Sequence, residues 1–126
     1  MAQGLAHVTY LKVDRAEAEL LTRETDLANA ARKLSAYGPR EIVLTQSSGV
    51  TVFADGDIYT VQFTPRSLAG RTGRGDTCFM SYLGKRLSAS PAEACRFAGA
   101  VTTLKQEKPG PWRGTMEEVE LVMNAM

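Results

Sequence analysis

The apolar positions change their period several times along the chain, and each change marks an element. His7 to Val13 (HVTYLKV) is a short apolar run rich in β-branched residues, and Asp14 then opens DRAEAELLTRE, a strong helix former. A strand followed by a helix is predicted. A second helix starts near Thr25 or Asp26, because Leu27, Ala30, Ala31 and Leu34 share one helical face, and Gly38-Pro39 stops it. EIVLT, Glu41 to Thr45, reads as a buried strand. From Val50 to Phe63 apolar residues alternate on both sides of Asp55-Gly56, the dipeptide a tight hairpin turn prefers. Thr64 to Gly75, with Pro65 and the glycines at 70, 73 and 75, reads as a loop; after Asp76 the residues Phe79, Leu83 and Leu87 recur at helical spacing. Ser90-Pro91 starts a further helix with Ala94, Phe97, Ala98, Val101 and Leu104 on one face, until KPGPWRG breaks it. A last helix, Thr115 to Met123, has a Thr-x-x-Glu start in Thr115 and Glu118. This succession, without internal repeats, is an α/β pattern.

Composition narrows the chemistry. With 126 residues, 44% of them hydrophobic and 23% charged, one soluble domain around a single core is expected. Fifteen Lys and Arg against fourteen Asp and Glu lack the basic excess of a dedicated nucleic-acid binder, so any anion site must be local. Cys78 and Cys95 form no CxxC pair and His7 is the single histidine, which indicates neither a zinc set nor a disulfide framework and fits a reducing cytosol. No apolar run has the length of a membrane span, and the first residues lack the plan of a signal peptide. A cytoplasmic protein is expected. Cys78 and His7 read as packing residues and Trp112 as a loop residue covering the core.

The stretch RTGRGDTC, Arg71 to Cys78, has the makings of an anion cradle. Glycines turn several N–H groups toward one point, and a helix start adds unpaired N–H groups and the positive end of its dipole. Arg66, Arg71 and Arg74 are available for charge-assisted contacts to phosphate. A carboxylate in such a cradle needs a separate task, such as deprotonating an attacking hydroxyl, and Asp76 is that carboxylate. The alternative on these residues alone is a plain turn with Asp76 as a first-turn acid. Asp14 and Glu17 have a similar alternative as an ordinary capped helix start.

Nearly the whole run resembles the second half of the ribokinase-like (PfkB) carbohydrate kinase family. LKVDRAEAELLT is similar to the family's strand and N-x-x-E helix start, and DLANAARKLSAYGPREIVLTQSSGVTVFADG to its next helix, strand and hairpin. RTGRGDTCFMSYLGKRL resembles its G-A-G-D signature and the helix after it, and PAEACRFAGAVTTLKQEKPGP its penultimate helix. The resemblance implies the C-terminal portion of a three-layer ribokinase-like fold in residues 1–126. It also implies ATP-dependent transfer of the γ-phosphoryl group to a sugar- or nucleoside-type alcohol. Asp76 takes the position of the catalytic base, and Gly73, Arg74 and Gly75 that of the anion hole. Asp14 and Glu17 correspond to the N-x-x-E residues that hold Mg2+ and phosphate through water; Thr45, Gly49 and Gly99 fall on the nucleotide side.

Departures from the pattern are specific. Gly70, Arg71 and Thr72 precede Gly73, and Arg74 replaces the family's alanine. The Thr45–Gly49 stretch is shorter than T-x-G-x-x-G, Gly99 stands where many members have asparagine, and Asp14 replaces asparagine. Family members are also roughly twice as long, the additional half supplying much of the sugar pocket. Two readings follow: the donor and catalytic-base half of a kinase, or a non-catalytic nucleotide-binding or structural module. Both predict an exposed edge at the first strand, hence self-association or pairing with the missing half.

Overall fold

Asp14 ends one element and begins the next. A computed structural model describes residues 9–65, 74–108 and 114–125. In it β1 (Tyr10–Asp14) runs directly into α1 (Arg15–Thr22). Asp14 Oδ1 accepts from the Glu17 N–H at 2.8 Å, while Glu17 Oε1 accepts from the Asp14 N–H at 3.0 Å. This capping box satisfies two amides that a helix start otherwise leaves unpaired. Asp26 caps α2 (Leu27–Ser35) by accepting from the N–H groups of Ala28 and Asn29 at 2.8 and 3.2 Å. The expected helix thus begins one residue after its acidic cap, and it ends at Ser35, ahead of Gly38-Pro39.

Three strands follow: β2 (Glu41–Gln46), β3 (Gly49–Ala54) and β4 (Asp57–Gln62). They join β1 in one sheet of order β1-β2-β3-β4, with β1 parallel to β2 and β2 antiparallel to β3. Between β3 and β4 Asp55 and Gly56 have φ of 52° and 84°, the double left-handed conformation that matches the twist of a two-residue hairpin. Thr51 and Thr60 hydroxyls meet across that hairpin at 3.2 Å. β1 is shorter than the pattern suggested, starting at Tyr10; His7 lies outside the described residues.

The chain divides into two compact units, residues 1–60 and 61–126, with the boundary inside β4. The first unit has a core of Val13, Ala18, Ala30, Leu34, Ile42 and Leu44, joined by Leu11, Leu21, Leu27 and Phe53. Its pattern is direct: alternate residues of β1 and β2 meet residues three and four apart on α1 and α2. Val43, Val50, Val52 and Ala54, which alternate with that set, are buried too. A strand buried at successive positions reads as the continuous apolar run seen in EIVLT.

The second unit holds α3 (Arg74–Arg86), α4 (Pro91–Gln106) and α5 (Met116–Ala125). Ser90 caps α4, its Oγ accepting from the Glu93 N–H at 3.3 Å, and Pro91 occupies the first helical turn where no amide donor is needed. Thr115 caps α5 through the Glu118 N–H at 3.2 Å. Cys78 and Tyr82 on α3 and Ala94, Cys95 and Ala98 on α4 are fully buried. Ala100, Val101 and Val119 form a second core with Phe97, Leu104, Val122 and Met123 between α4 and α5. Among the described residues no helix is long and apolar enough to cross a membrane.

Leu44 is 0% exposed in the centre of β2. Leu44→Ala is expected to cost about 2–5 kcal/mol, through lost transfer energy and the cavity left behind. Urea unfolding checks this; a loss below about 1 kcal/mol would place the core elsewhere.

Candidate functional site

Parallel pairing of β1 with β2 sets Asp14 opposite Thr45 at the C-terminal ends of both strands. In open α/β sheets, ligands bind beyond such ends. Gly49 opens β3 and pairs with Gln46, so Thr45 and Gly49 flank a tight Ser47-Ser48 turn at that same end. Sequence reading assigned Asp14, Glu17, Thr45 and Gly49 from separate motifs; the register brings Asp14 and Thr45 side by side. Thr45 is buried, whereas Asp14 and Glu17 are exposed.

The capping box uses Oδ1 of Asp14 and Oε1 of Glu17. Each carboxylate retains a second oxygen outside those bonds. Among the described residues no three His, Cys, Asp or Glu gather as direct metal ligands. Two exposed carboxylates one helical turn apart nonetheless suit a hydrated magnesium ion, which keeps most of its waters and takes few protein ligands.

In the second unit α3 begins at Arg74, earlier than the apolar spacing after Asp76 indicated. The reason is electrostatic and conformational. Asp76 complements the positive end of the helix dipole, and the first turn tolerates Gly75 because little hydrogen bonding is at stake there. Arg74, Gly75 and Asp76 are therefore first-turn residues, with Asp76 exposed and the other two half-buried. Gly73 lies outside the described residues, but its chemistry matters: the residue before α3 has no side chain with which to cap it. The positions before α1, α2, α4 and α5 hold Asp14, Asp26, Ser90 and Thr115. Glycine at the position before α3 brings no side-chain oxygen of its own.

α3 and α4 pack together and are joined by the short segment 87–90. Such a connection makes them antiparallel, so the last turn of α4 lies at the end where α3 starts. Gly99 is buried midway along α4. Beyond it the helix buries an unusual polar group: Thr102, Thr103, Lys105 and Gln106 are each at most 5% exposed. Thr102 Oγ1 donates to the Ala98 carbonyl at 2.7 Å, and Thr103 Oγ1 accepts from the Thr64 N–H at 3.1 Å. Gln106 differs. Among the described residues neither its Nε2 nor its Oε1 has a hydrogen-bond partner. An amide stranded in this way costs about 1–3 kcal/mol. Sequence reading singled out Gly99 on this helix and missed Gln106. Its signal was present as a polar TT-KQ cluster on a helix whose other faces are apolar.

The second unit also has a cavity of about 330 Å³, lined by Thr64, Thr103, Leu104, Glu107, Leu121 and Val122 among others. Cys78 and Cys95 are buried free thiols, as the packing reading of Cys78 expected.

Comparison with known proteins gives the site its context. Residues 1–117 match the model of a family described as pfkB family carbohydrate kinase. A search of curated proteins found no match. Among solved structures, a pyrophosphate-dependent kinase in the ribokinase family, complexed with a pyrophosphate analogue and myo-inositol, is 41% identical with a TM-score of 0.85. The alignment covers 95% of this chain and 43% of that one. A pyrophosphate-dependent myo-inositol-1 kinase is 40% identical with a TM-score of 0.85, over 98% of this chain and 44% of that one. Arabidopsis thaliana ribokinase complexed with ribose and ATP is 21% identical, TM-score 0.79, over 98% and 43%. The chain thus spans less than half the length of these structures.

Burial, and then the neighbouring Cys78, push the Cys95 thiol up from 9.0 to about 12. Below pH 9 the thiol is neutral in both folded and unfolded chains. Above that the unfolded chain releases the proton while the folded one keeps it, so stability falls between about pH 9 and 12. Denaturant midpoints over that range are expected to decline less in Cys95→Ala than in the unaltered chain; equal declines would contradict the assignment.

Proposed function

Because the chain belongs to the pfkB family of carbohydrate kinases, we propose that it carries the donor-binding and catalytic-base portion of a phosphotransferase using pyrophosphate as donor. The acceptor in this reading is a hydroxyl of an inositol- or sugar-type alcohol. The observation that carries the donor assignment is identity. The pyrophosphate-dependent kinases are 40–41% identical to this chain, whereas the ATP-complexed ribokinase is 21% identical and speaks for the fold alone. ATP, expected from the family resemblance, becomes the comparison donor.

Chemically, the acceptor oxygen attacks the terminal phosphorus as its proton passes to the Asp76 carboxylate. A new O–P bond forms, the bridging P–O bond breaks, and orthophosphate leaves, taking up the proton from Asp76. Asp76 is exposed in the first turn of α3. The N–H groups of Gly73, Arg74 and Gly75 stabilise charge on the transferring group, where glycine permits close approach of the oxygens. Magnesium held through water by Asp14 and Glu17 supplies positive charge to the donor when bound. Thr45 and Gly49 in the first unit and Gly99 in the second are donor-side residues in this reading.

Acceptor recognition is assigned to a half that this chain does not contain, given its coverage of 43–44% of the pyrophosphate-dependent relatives. β1 stands at one end of the sheet order, so its outer edge is where further strands, from that half or a second copy, would pair. The same coverage favours a second reading for the isolated chain, donor binding without turnover. A cytoplasmic setting completes the proposal, consistent with two free buried cysteines.

In a polypeptide joining this chain to its acceptor-binding half, phosphorylation of myo-inositol is expected with pyrophosphate and to exceed that with ATP. Asp76→Asn is expected to lower kcat by roughly 10²–10⁴-fold while donor binding persists. Faster turnover with ATP would overturn the donor, and unchanged turnover in Asp76→Asn would overturn the base.

A further inference from the structure

α3 is apolar on two opposite faces. Cys78 and Tyr82 mark the buried one. On the face turned away from them Met80 is 65% exposed and Leu87, just past the helix end, is 91% exposed, with half-buried Leu83 between them. The Ser88 N–H donates to the Lys85 carbonyl at 3.1 Å, so the helical winding carries on through Leu87. Steps of three and four residues from Met80 to Leu83 and Leu87 set these side chains along one seam. Single exposed apolar residues are ordinary on a protein surface, but a helix that is apolar on both its inner and its outer face is the pattern of one covered on both.

Gly84 lies on the same seam, and nothing within this chain calls for a glycine there. Among the described glycines, positive φ belongs to Gly38 and Gly56, so Gly84 is no left-handed cap. A Cβ at that position would meet no neighbouring atom within 4 Å. Inside a helix glycine costs stability relative to almost any other residue. What it offers in return is room for a second backbone to approach closely.

The seam also points to its occupant. Asp76 is exposed and stands four residues before Met80, so the apolar seam continues the helix face that carries the proposed base. The acceptor hydroxyl has to reach that carboxylate. The alignments cover 43% and 44% of the two pyrophosphate-dependent kinases, so more than half of each lies beyond the part this chain resembles. We infer that a helix of that acceptor-binding half packs along Met80, Leu83, Gly84 and Leu87, and thereby holds its acceptor pocket beside Asp76. This rests on the two-part reading proposed above and deepens it by locating the joint between the parts.

Thermal unfolding tests it in two settings: this chain alone, and this chain joined to the part of the pyrophosphate-dependent myo-inositol-1 kinase that lies beyond the aligned region. Each is measured unaltered, as Gly84→Gln, and as the double variant Met80→Gln/Leu87→Gln. In the chain alone the seam is bare, so Gly84→Gln is expected to raise the midpoint by about 1–3 °C through helix propensity, and the double variant to move it by less than about 2 °C. In the joined polypeptide one shared transition is expected, lowered by about 3 °C or more in both variants. The reversal of sign at Gly84 is the decisive reading. Separate transitions in the unaltered joined polypeptide, one at the midpoint of the chain alone, overturn the inference, as do equal shifts in the two settings. A chain that is dimeric on size exclusion and becomes monomeric in the double variant, while the joined polypeptide keeps its midpoint, gives the seam to a second copy and also overturns it. Absence of myo-inositol phosphorylation by a joined polypeptide with the expected midpoints counts against the proposed function and leaves the seam standing.

Discussion

A helix start leaves backbone N–H groups in need of acceptors, and the function proposed for this chain depends on the start of α3. Asp14, Asp26, Ser90 and Thr115 cap α1, α2, α4 and α5 with hydrogen bonds of 2.8 to 3.3 Å. The position before α3 is Gly73, which has no side-chain oxygen. Glycine at such a position costs a helix only roughly a few tenths of a kcal/mol relative to a side-chain cap, so Gly73 is a small sacrifice of stability. In the proposed function the amides of that turn hold an anion and Asp76 accepts the proton.

The two units are built differently. In the first, a parallel β1-β2 pair places Asp14 next to Thr45 at the strand ends, and the same Asp14 nucleates α1 through its box with Glu17. Structural and proposed functional roles coincide there, because each carboxylate has one oxygen for the backbone and one to spare. In the second, small residues at 94, 95, 98 and 99 of α4 line its buried face, and the polar residues from Thr102 to Gln106 follow where packing alone would favour apolar ones.

Much of this was legible in the sequence. EIVLT, the Asp55-Gly56 turn and the Ser90-Pro91 start each had a local cause, and each element formed within a residue or so of its expected bounds. α3 begins at Arg74, which agrees with reading Asp76 as a first-turn acid, although the apolar spacing is visible only after Asp76. The neighbouring of Asp14 and Thr45 was not legible, since strand register is a property of pairing between distant segments. Gln106 was missed because periodicity records which residues face inward and says nothing of whether an inward polar group finds a partner.

The most direct test of the account is titration of magnesium pyrophosphate into Gly73→Asp. An aspartate there would offer α3 a side-chain cap, occupying its amides and repelling phosphate. The account predicts a helix as stable as before or more so, with pyrophosphate affinity reduced at least tenfold relative to the unaltered chain. Undiminished binding in that variant would contradict it, because the anion would then be held by something other than the open start of α3.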